Sequence, residues 1–328
     1  MVQWSGGRRV KILNIYLREL AEVLSKIPAH AACMSNPYLP YWLVFTATLF
    51  LYCALTPKAK RKYALAGVLA LVMLAGTMYL PVYQRQGRLH LLSADVGQGA
   101  GTILASGGET AVVDCGSSNS YIDAGDRMAD TLNTYGYFTL DYIVLTHYHA
   151  DHVSGVEVLL SRVDTDVILA PLPGEKDTYH QTLVELAEEY GAEIRYVAED
   201  MTLRLGDAVL QIFAPVGDGG GNEEGLSILC SAGEYDALIT GDMNRSNEKV
   251  LAAEKNLPDL EVLLVGHHGA ANATSEELLD AVTPEVGIIS VGENAYGHPN
   301  DETMQRMVRR DMTIYRTDLQ GNISLVLP

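Results

Sequence analysis

Two uncharged apolar stretches lie within the first ninety residues, at Tyr38–Leu55 and Tyr63–Val82. A helix needs roughly 20 apolar residues to cross about 30 Å of hydrocarbon, so the second stretch is long enough and the first is at the short end. Tyr and Trp side chains occur near their ends, which is typical of membrane interfaces. The pattern predicts a two-helix transmembrane hairpin over residues 38–82. The alternative is a buried helical hairpin of a soluble protein.

An amphipathic segment precedes the hairpin. Within Val10–Ile27 the apolar residues recur at helical spacing, whereas Arg18 and Glu22 lie off the apolar stripe. Beside two membrane spans, this pattern predicts an interfacial helix within residues 1–30. A helix packed on another subunit explains it equally well, because one apolar stripe serves either purpose.

From about residue 88 onward, short β-branched runs alternate with helical patterns. Strands are predicted at Leu89–Asp95, Gly101–Leu104, Thr110–Asp114, Tyr142–Leu145, Val167–Ala170, Ala208–Phe213, Leu226–Ser231, Ala237–Thr240, Val262–Val265, Val286–Val291, Thr313–Tyr315 and Ile323–Val326. Helices are predicted at Arg127–Tyr135, Val153–Arg162, Tyr179–Tyr190, Arg245–Glu254, Ser275–Val282 and Asp301–Arg310. The last two have predicted N-caps at Thr274 and Asn300. Residues 88–328 are therefore expected to form one α/β domain of sheets covered by helices. Gly217–Asn222 is predicted to be a flexible loop.

Charge divides the chain at about residue 90. The first 90 residues contain 11 Lys and Arg but 2 Asp and Glu, whereas the remainder contains 12 basic and 39 acidic residues, a net charge of −27. A basic apolar segment suits a membrane surface, and an acidic one suits a soluble domain. The basic loop Pro57–Lys62 predicts, by the positive-inside rule, that the domain lies outside the cytoplasm. Arg8, Arg9 and Arg85 oppose this assignment.

Candidate metal ligands follow the apolar run that ends at Thr146. His147, His149, Asp151 and His152 occupy four of the next six positions. Side chains at i and i+2 of an extended backbone point the same way, so the first two histidines can bind one cation. Asp151 and His152 then face a second cation at the turn into a helix. Imidazole and carboxylate ligands suit Zn²⁺ or Mn²⁺ and do not discriminate well between them.

Other predicted strands also end in ligand-type residues. Asp242 follows one apolar run, where it could bridge two metals, and the pair His267-His268 follows another. Asp95 and Asp114 end two more. A single Asp after a strand is more often a turn or cap residue. Together, however, these strand ends predict one metal-lined edge.

This set of residues resembles the signature of the metallo-β-lactamase superfamily. It includes an H-x-H-x-D-H loop, a Gly-Asp position and a late histidine. Within that superfamily, the sequence resembles in particular the C-terminal domain of ComEC-type competence proteins. It rests on the segments Asp95–Gly99, Val113–Gly116, His267–Gly269, Ser290–Gly292, Asn294–Pro299 and Tyr315–Gly321. It implies an αββα sandwich over residues 88–328. It leaves open whether the chain is a short, membrane-anchored paralogue or a truncated product.

The resemblance also implies roles for individual residues. Two divalent metal ions are expected, one held by His147 and His149, the other by Asp151, His152 and His268, with Asp242 bridging them. Asp151, Asp242, His267 and His298 are the expected catalytic residues, the two histidines contacting substrate or acting as general acid. The residues expected to contact substrate or to support the ligands are Asp95, Asp114, Asn222 and Asn294.

The function implied by this resemblance is that of a membrane-anchored phosphodiester hydrolase, a nuclease linked to DNA uptake. Its expected partners are DNA, the membrane and a separate channel or competence subunit. Binding of a polyanion usually rests on basic side chains, and this domain is strongly acidic. The main basic cluster is predicted to be either a local DNA track or a solvated helix face, and it comprises Arg306, Arg309, Arg310 and Arg316.

Two alternatives to a nuclease remain. The first is a metallo-hydrolase of another substrate, such as an ester, a thioester or a β-lactam. The second is a catalytically impaired assembly component. It is motivated by Ala100, which stands where the family has an acidic residue, and by the expected lack of most of the membrane channel that larger members of the family carry. Gly225, which replaces a serine of the family, is a second departure that could weaken or redirect activity.

Overall fold

A computed structural model of the chain describes residues 36, 38–56, 60–85, 87–174, 177–216 and 225–327. Two predicted features lie outside the described residues: the interfacial helix within residues 1–30 and the glycine-rich loop 217–222.

Helices α1 (Leu39–Leu55) and α2 (Lys60–Arg85) form a hairpin. The indole N–H of Trp42 donates to the carbonyl of Ala70, 2.8 Å away, and the Asn36 amide donates to the carbonyl of Thr77, also at 2.8 Å. Earlier residues of α1 thus contact later residues of α2, so the helices run antiparallel. Small residues such as Ala66 and Ala70 are buried between them, which permits close approach. The predicted pairing of two apolar helices in a hairpin is confirmed.

One helical segment in the described part of the chain, Arg61–Leu80, is long and apolar enough to cross a membrane. Helix α1 has 17 residues and is shorter than such a span. Its large apolar side chains nevertheless face outward: Leu43 and Leu51 are more than half exposed, as are Leu71 and Tyr79 of α2. These surfaces need an apolar covering.

Within the described residues, fourteen strands form two seven-stranded sheets. The first sheet contains β1 (Leu89–Ser93), β2 (Gly101–Ser106), β3 (Glu109–Cys115), β4 (Thr139–Val144), β5 (Asp164–Pro171), β6 (Glu193–Val197) and β14 (Ile323–Leu327). The second contains β7 (Met201–Leu205), β8 (Ala208–Phe213), β9 (Ser227–Ala232), β10 (Tyr235–Ile239), β11 (Val262–Leu264), β12 (Val286–Ile289) and β13 (Thr313–Arg316).

The two sheets have the same plan. The first has the order β14-β1-β2-β3-β4-β5-β6, and the second has the order β13-β12-β11-β10-β9-β8-β7. Strands β3 to β6 are parallel to one another, and so are strands β10 to β13. The carboxyl ends of β3 and β4 therefore lie at one edge of the first sheet, and those of β10, β11 and β12 lie at one edge of the second. Residues that follow strands of the same sheet are brought close together at that edge.

Among the described residues, eight α-helices follow the hairpin, and most of them cover the outer faces of the sheets. On the first sheet lie α3 (Ala124–Tyr135), α4 (Ala150–Val153), α5 (Val156–Arg162) and α6 (Tyr179–Tyr190). The others are α7 (Arg245–Glu254), α8 (Glu276–Val282), α9 (Asp301–Val308) and α10 (Thr317–Gln320). Alternate residues along a strand point to opposite faces, so Val112 packs under the helices while Val113 packs between the sheets. The predicted αββα layering is confirmed.

The structure corrects three local predictions. Strands β6 and β7 were not predicted, since they lie at sheet edges and their exposed faces are polar. The predicted helix Val153–Arg162 is two helices, α4 and α5, separated at Gly155. The N-cap of α8 is Ser275, whose hydroxyl accepts the N–H of Leu278. It is not Thr274, whose backbone is left-handed at φ 54°. The predicted cap Asn300 is confirmed on α9.

Close backbone packing fixes α4 against the ends of the first sheet. A Cβ placed on Gly116 would overlap the backbone N of His152, and one on Gly99 would overlap the carbonyl oxygen of Gly116. Only glycine lets these three backbone segments approach so closely. The peptide N–H of Ala100 donates to the carbonyl of Asp151 at 2.9 Å, which completes the contact.

Gly116→Ala should therefore destabilise the protein by about 1–3 kcal/mol, because an added methyl group in a filled space forces the backbone apart. Thermal unfolding of the full chain in detergent, followed by circular dichroism, measures this loss. Gly174→Ala is the matched control, since its methyl group meets only the end of the Asp177 side chain. Equal stability of the two variants would contradict the packing argument.

Candidate metal centre

Asp114 anchors the loop that carries the first ligands. It lies at the end of β3, the parallel neighbour of β4, and its backbone is left-handed at φ 58°. Its buried carboxylate accepts the N–H of Thr146 at 2.7 Å and the hydroxyl of the same residue at 2.8 Å. The start of the H-x-H-x-D-H loop is thereby tied to the first sheet.

The same carboxylate orients His152. Nδ1 of this buried ring lies 2.8 Å from Asp114 Oδ2, so the N–H on Nδ1 donates to the carboxylate and leaves Nε2 as the free ring nitrogen. Nε2 points to the second sheet, where it lies 3.1 Å from Asp242 Oδ1 without hydrogen-bond geometry. A carboxylate that fixes a ligand histidine in this way is the usual support of metal sites.

The second sheet contributes Asp242 after β10 and the histidine pair after β11. His267 and His268 form a tight turn and have left-handed backbones, at φ 50° and 53°. Such conformations are costly for non-glycine residues and persist where the surrounding structure holds them. The N–H of His267 donates to the carbonyl of Gly241 at 3.0 Å, which joins this turn to the loop of Asp242.

The potential ligand atoms form two groups that share Asp242. In each group the atoms lie within 4.8 Å of one another. One group contains Asp151, His152, Asp242 and His268, and the other contains His147, His149 and Asp242.

These groups suit divalent cations. The Nε2 atoms of His147, His152 and His268 are buried and have no hydrogen-bond partner among the described residues. Buried polar atoms are normally hydrogen-bonded, so three such nitrogens beside one carboxylate require another partner. Imidazole nitrogen and carboxylate oxygen are ligands of Zn²⁺ and Mn²⁺. The donor set therefore fits two cations bridged by Asp242.

Burial and neighbouring charges set the protonation of the ligands. Burial and the nearby His152 hold the pKa of His147 well below 6.5, so this ring is a neutral ligand. Burial opposes the charge of His152, but the carboxylates of Asp242 and Asp114 outweigh it and raise its pKa well above 6.5. Burial raises the pKa of Asp151, but the nearby ring of His268, 3.5 Å away, and the charge of His152 lower it to about 2.

Comparison with known proteins agrees with this geometry. Residues 94–293 match the Metallo-beta-lactamase superfamily. The chain belongs to this superfamily. It is a metallo-hydrolase of the metallo-β-lactamase fold, and the matched range contains both groups of ligand atoms.

Within the superfamily, the similarity to curated competence proteins supports a ComEC-type domain, as predicted. ComE operon protein 3 of Bacillus subtilis (strain 168) is 24% identical over 332 residues, which cover 95% of this chain and 42% of that protein. Competence protein ComA of Neisseria gonorrhoeae is 25% identical over 262 residues, 79% of this chain and 35% of that protein. The chain thus spans less than half the length of either relative.

Among solved structures, the metallo-β-lactamase fold protein YhfI from Bacillus subtilis superimposes with a TM-score of 0.50 at 13% identity. The alignment covers 73% of this chain and 99% of that one. This likeness concerns the fold alone.

Ser290 and Thr146 support the centre, although neither was predicted as a site residue. His268 Nδ1 lies 2.9 Å from the carbonyl of Ser290, which aims Nε2 at the ligand group. The Ser290 hydroxyl donates to the carbonyl of Gly99 at 2.7 Å and so links the two halves of the sandwich. Both residues follow strands whose carboxyl ends lie beside the candidate ligands, and this position in the sequence could have identified them as supporting residues.

Two histidines flank the ligands. His267 Nε2 lies 3.5 Å from Asp242 Oδ2, and its ring centroid is 5.6 Å from that of His298. Burial and the adjacent His267 lower the pKa of His298. Asn294 shapes the loop of His298, because its amide donates to that residue's carbonyl at 2.8 Å and its oxygen accepts the N–H at 3.1 Å.

The remaining predicted residues are placed elsewhere. The contacts described for Asp95 are with Arg127, Asn322 and its own loop, and none is with a ligand histidine. Asn222 lies outside the described residues. Ala100 lines a cavity of about 40 Å³ beside Asp114, His152 and Asp242, so its small side chain leaves room next to the ligands.

The basic cluster, interpreted from the sequence as either a DNA track or a solvated helix face, is largely neutralised. Arg306 is buried and donates to the carbonyls of Thr274 and Ala273 at 2.9 and 2.8 Å. Arg310 contacts Asp280 at 2.5 Å, and Arg316 contacts Asp318 at 2.6 Å. Arg309 lies 3.8 Å from Glu276. These arginines stabilise the fold around α8 and α9 and do not form an open track.

Asp114→Asn should lower the affinity for Zn²⁺ or Mn²⁺ about 10- to 100-fold, because the amide keeps the shape but not the charge that orients His152. Competition with a chromophoric chelator measures the affinity. Asp95→Asn is the control and should bind metal as the wild type does. An unchanged affinity in Asp114→Asn would contradict the supporting role.

The metal-free protein should show pH-dependent stabilisation by His152. Its raised folded pKa means that its ion pairs stabilise fully below pH 6.5 and are lost as the pH rises through that pKa. The lowered pKa of Asp151 means the opposite: its stabilisation is full above pH 3.8 and is lost toward about pH 2. The difference in melting temperature between wild type and His152→Gln, both treated with chelator, should therefore be largest between about pH 3.8 and pH 6.5. A difference that grows above pH 7 would contradict this assignment.

Proposed function

We propose that this chain is a membrane-anchored, metal-dependent phosphodiester hydrolase that cleaves DNA during its uptake. The observation that carries the proposal is the pair of ligand groups sharing the buried carboxylate of Asp242. Two cations in such a site lower the pKa of a bound water and stabilise both the attacking and the leaving oxygen of an in-line displacement. A phosphodiester is a substrate that suits this chemistry.

In this proposal each residue has a stated task. His147 and His149 hold one cation, Asp151, His152 and His268 hold the other, and Asp242 binds both. Asp114 keeps the proton of His152 on Nδ1, so that Nε2 is free to bind metal. The left-handed turn of His267 and His268 brings one ring to the ligands and the other to their rim.

His298 is suited to give a proton to the departing oxygen. The amide nitrogen of Gln98 lies 3.5 Å from Nδ1, so an N–H faces that nitrogen and the proton of the neutral ring is placed on Nε2. Because burial lowers the pKa of His298, the ring is mainly neutral at neutral pH: its minor protonated form would supply the proton, and the Nε2–H of the neutral ring would donate a hydrogen bond to the departing oxygen. Asn294 fixes the loop that presents this ring. His267 is the alternative donor, because its ring lies against His298.

Similarity to competence proteins supports DNA as the substrate. The relative from Neisseria gonorrhoeae is named a competence protein, and similarity covers most of this chain. The outward-facing apolar side chains of α1 and α2 support insertion in a membrane, and the basic loop between them supports a domain outside the cytoplasm. A separate channel subunit would then deliver the strand.

The acidity of the domain weakens long-range attraction of DNA. Because most arginines near α8 and α9 contact carboxylates, the positive charge at the centre would come mainly from the bound cations. Substrate binding is therefore expected to depend strongly on the metal.

With Mn²⁺ or Zn²⁺, the purified full chain should hydrolyse bis(p-nitrophenyl) phosphate and single-stranded DNA. Asp151→Ala should reduce both rates at least 100-fold, because it removes a ligand and its charge. Release of p-nitrophenol and gel electrophoresis of a labelled oligonucleotide measure these rates. Asp166→Ala, an exposed carboxylate on β5, is the control.

Three outcomes separate the alternatives. Absence of cleavage with either metal would overturn the proposal. Turnover of an ester, thioester or β-lactam in place of the diester would identify another hydrolase on the same fold. A protein without bound metal or turnover would point to an assembly component.

A further inference from the structure

An open cavity of about 500 Å³ lies at the ligand edge of the second sheet. It is lined by Asn244, Arg245, Ser246, Ala271, Asn272 and Glu302. None of these residues belongs to the two groups of metal ligands.

Three loops bring the cavity next to the metal centre. Asn244 follows Asp242 by two residues, Ala271 follows His268 by three, and Glu302 follows His298 by four. Since an extended chain advances at most about 3.6 Å per residue, these Cα atoms lie within roughly 7, 11 and 14 Å of the site residues that precede them. The cavity is therefore within reach of a strand that is held at the metal centre and continues beyond the reacting group.

The lining offers hydrogen-bond donors suited to a phosphate. Arg245 contributes a guanidinium, Asn244 and Asn272 contribute amides, and Ser246 contributes a hydroxyl. One guanidinium nitrogen of Arg245 donates to the carbonyl of Ala271, which fixes the group at the cavity wall. Its Nε atom is shielded from solvent and has no partner among the described residues.

Arg245 is less closely paired with carboxylates than Arg310 and Arg316 are. Its nearest described carboxylate, on Glu302, is 3.8 Å away, whereas Arg310 and Arg316 contact carboxylates at 2.5 and 2.6 Å. The Arg245 side chain is 41% exposed and that of Glu302 is 75% exposed, so the pair is loose and open to an incoming anion. Arginine is the side chain best matched to a phosphate, because its planar fork donates two parallel hydrogen bonds.

We propose that this cavity binds the phosphate of a nucleotide adjacent to the one being cleaved, with Arg245 as the principal contact and Glu302 as a competing anion. The inference rests on the proposed function and specifies it further. The substrate is a polynucleotide strand, which fills both the metal centre and the cavity, whereas a small diester fills only the metal centre.

The test compares two substrates, a single-stranded oligonucleotide and bis(p-nitrophenyl) phosphate, with the metal-loaded full chain. The readout is the ratio of their kcat/KM values. Arg245→Gln should lower this ratio about five- to tenfold through KM of the oligonucleotide, and it should make log KM less steeply dependent on log salt by about 0.7. Glu302→Gln should change the ratio in the opposite direction, about two- to threefold, because it removes the competing charge.

Lys249→Gln is the matched control. This exposed cation lies on the same helix as Arg245 and pairs with Glu277, so the ratio should stay at the wild-type value. An Arg245→Gln ratio equal to that of the control would overturn the inference while leaving the hydrolase intact. If Arg245→Gln loses both activities, Glu302→Gln decides: a ratio equal to wild type would overturn the inference, and a raised ratio would support it. Absence of hydrolysis of either substrate by the wild type would instead overturn the proposed function.

Discussion

The carboxylate of Asp242 lies 3.1 Å from a ring nitrogen of His152, and this contact joins the two sheets at their common edge. A buried carboxylate is unstable unless positive charge or hydrogen bonds compensate its lost hydration. Here the compensation comes from histidines of both sheets, with His152 on one side and His147, His267 and His268 around it. The pKa of Asp242 is well below its usual range because, despite burial, the charge of His152, with a smaller contribution from His268, outweighs the loss of water.

This constraint explains the supporting contacts. His152 can serve Asp242 only if its other nitrogen is satisfied, and Asp114 provides that acceptor. Asp114 in turn holds Thr146, which sets the start of the ligand loop. On the opposite side, Ser290 orients His268 and contacts Gly99. The candidate metal ligands are thus supported by hydrogen bonds from both sheets.

Much of the fold could be predicted from the sequence, since apolar runs that end in His or Asp identify strands with polar carboxyl ends. Helices α6 and α7 agree with prediction because their apolar spacing is regular. Strand β6 was missed, since Glu193 and Arg195 face solvent and pair with each other, which hides the strand pattern. The pairing of the basic cluster with carboxylates could not be predicted either, because Asp280 and Glu276 are distant in sequence from the arginines whose charge they neutralise. The residue pattern located the ligands, whereas their supports, Thr146 and Ser290, needed the three-dimensional arrangement.

The pairing of β1 with β14 has a consequence for how the domain is made. Leu89 lies opposite Leu327, so the two strands at this side of the first sheet are separated by more than two hundred residues in sequence. Contacts of such long range form late, because the chain between them must first be synthesised and closed into a loop. Until β14 is available, one edge of β1 (LHLLS) has no pairing strand. All five residues of β1 are buried in the folded domain, so an exposed edge at this strand is prone to pair with other chains. A nascent domain of this kind is exposed to pairing with other chains until its last strand closes the sheet.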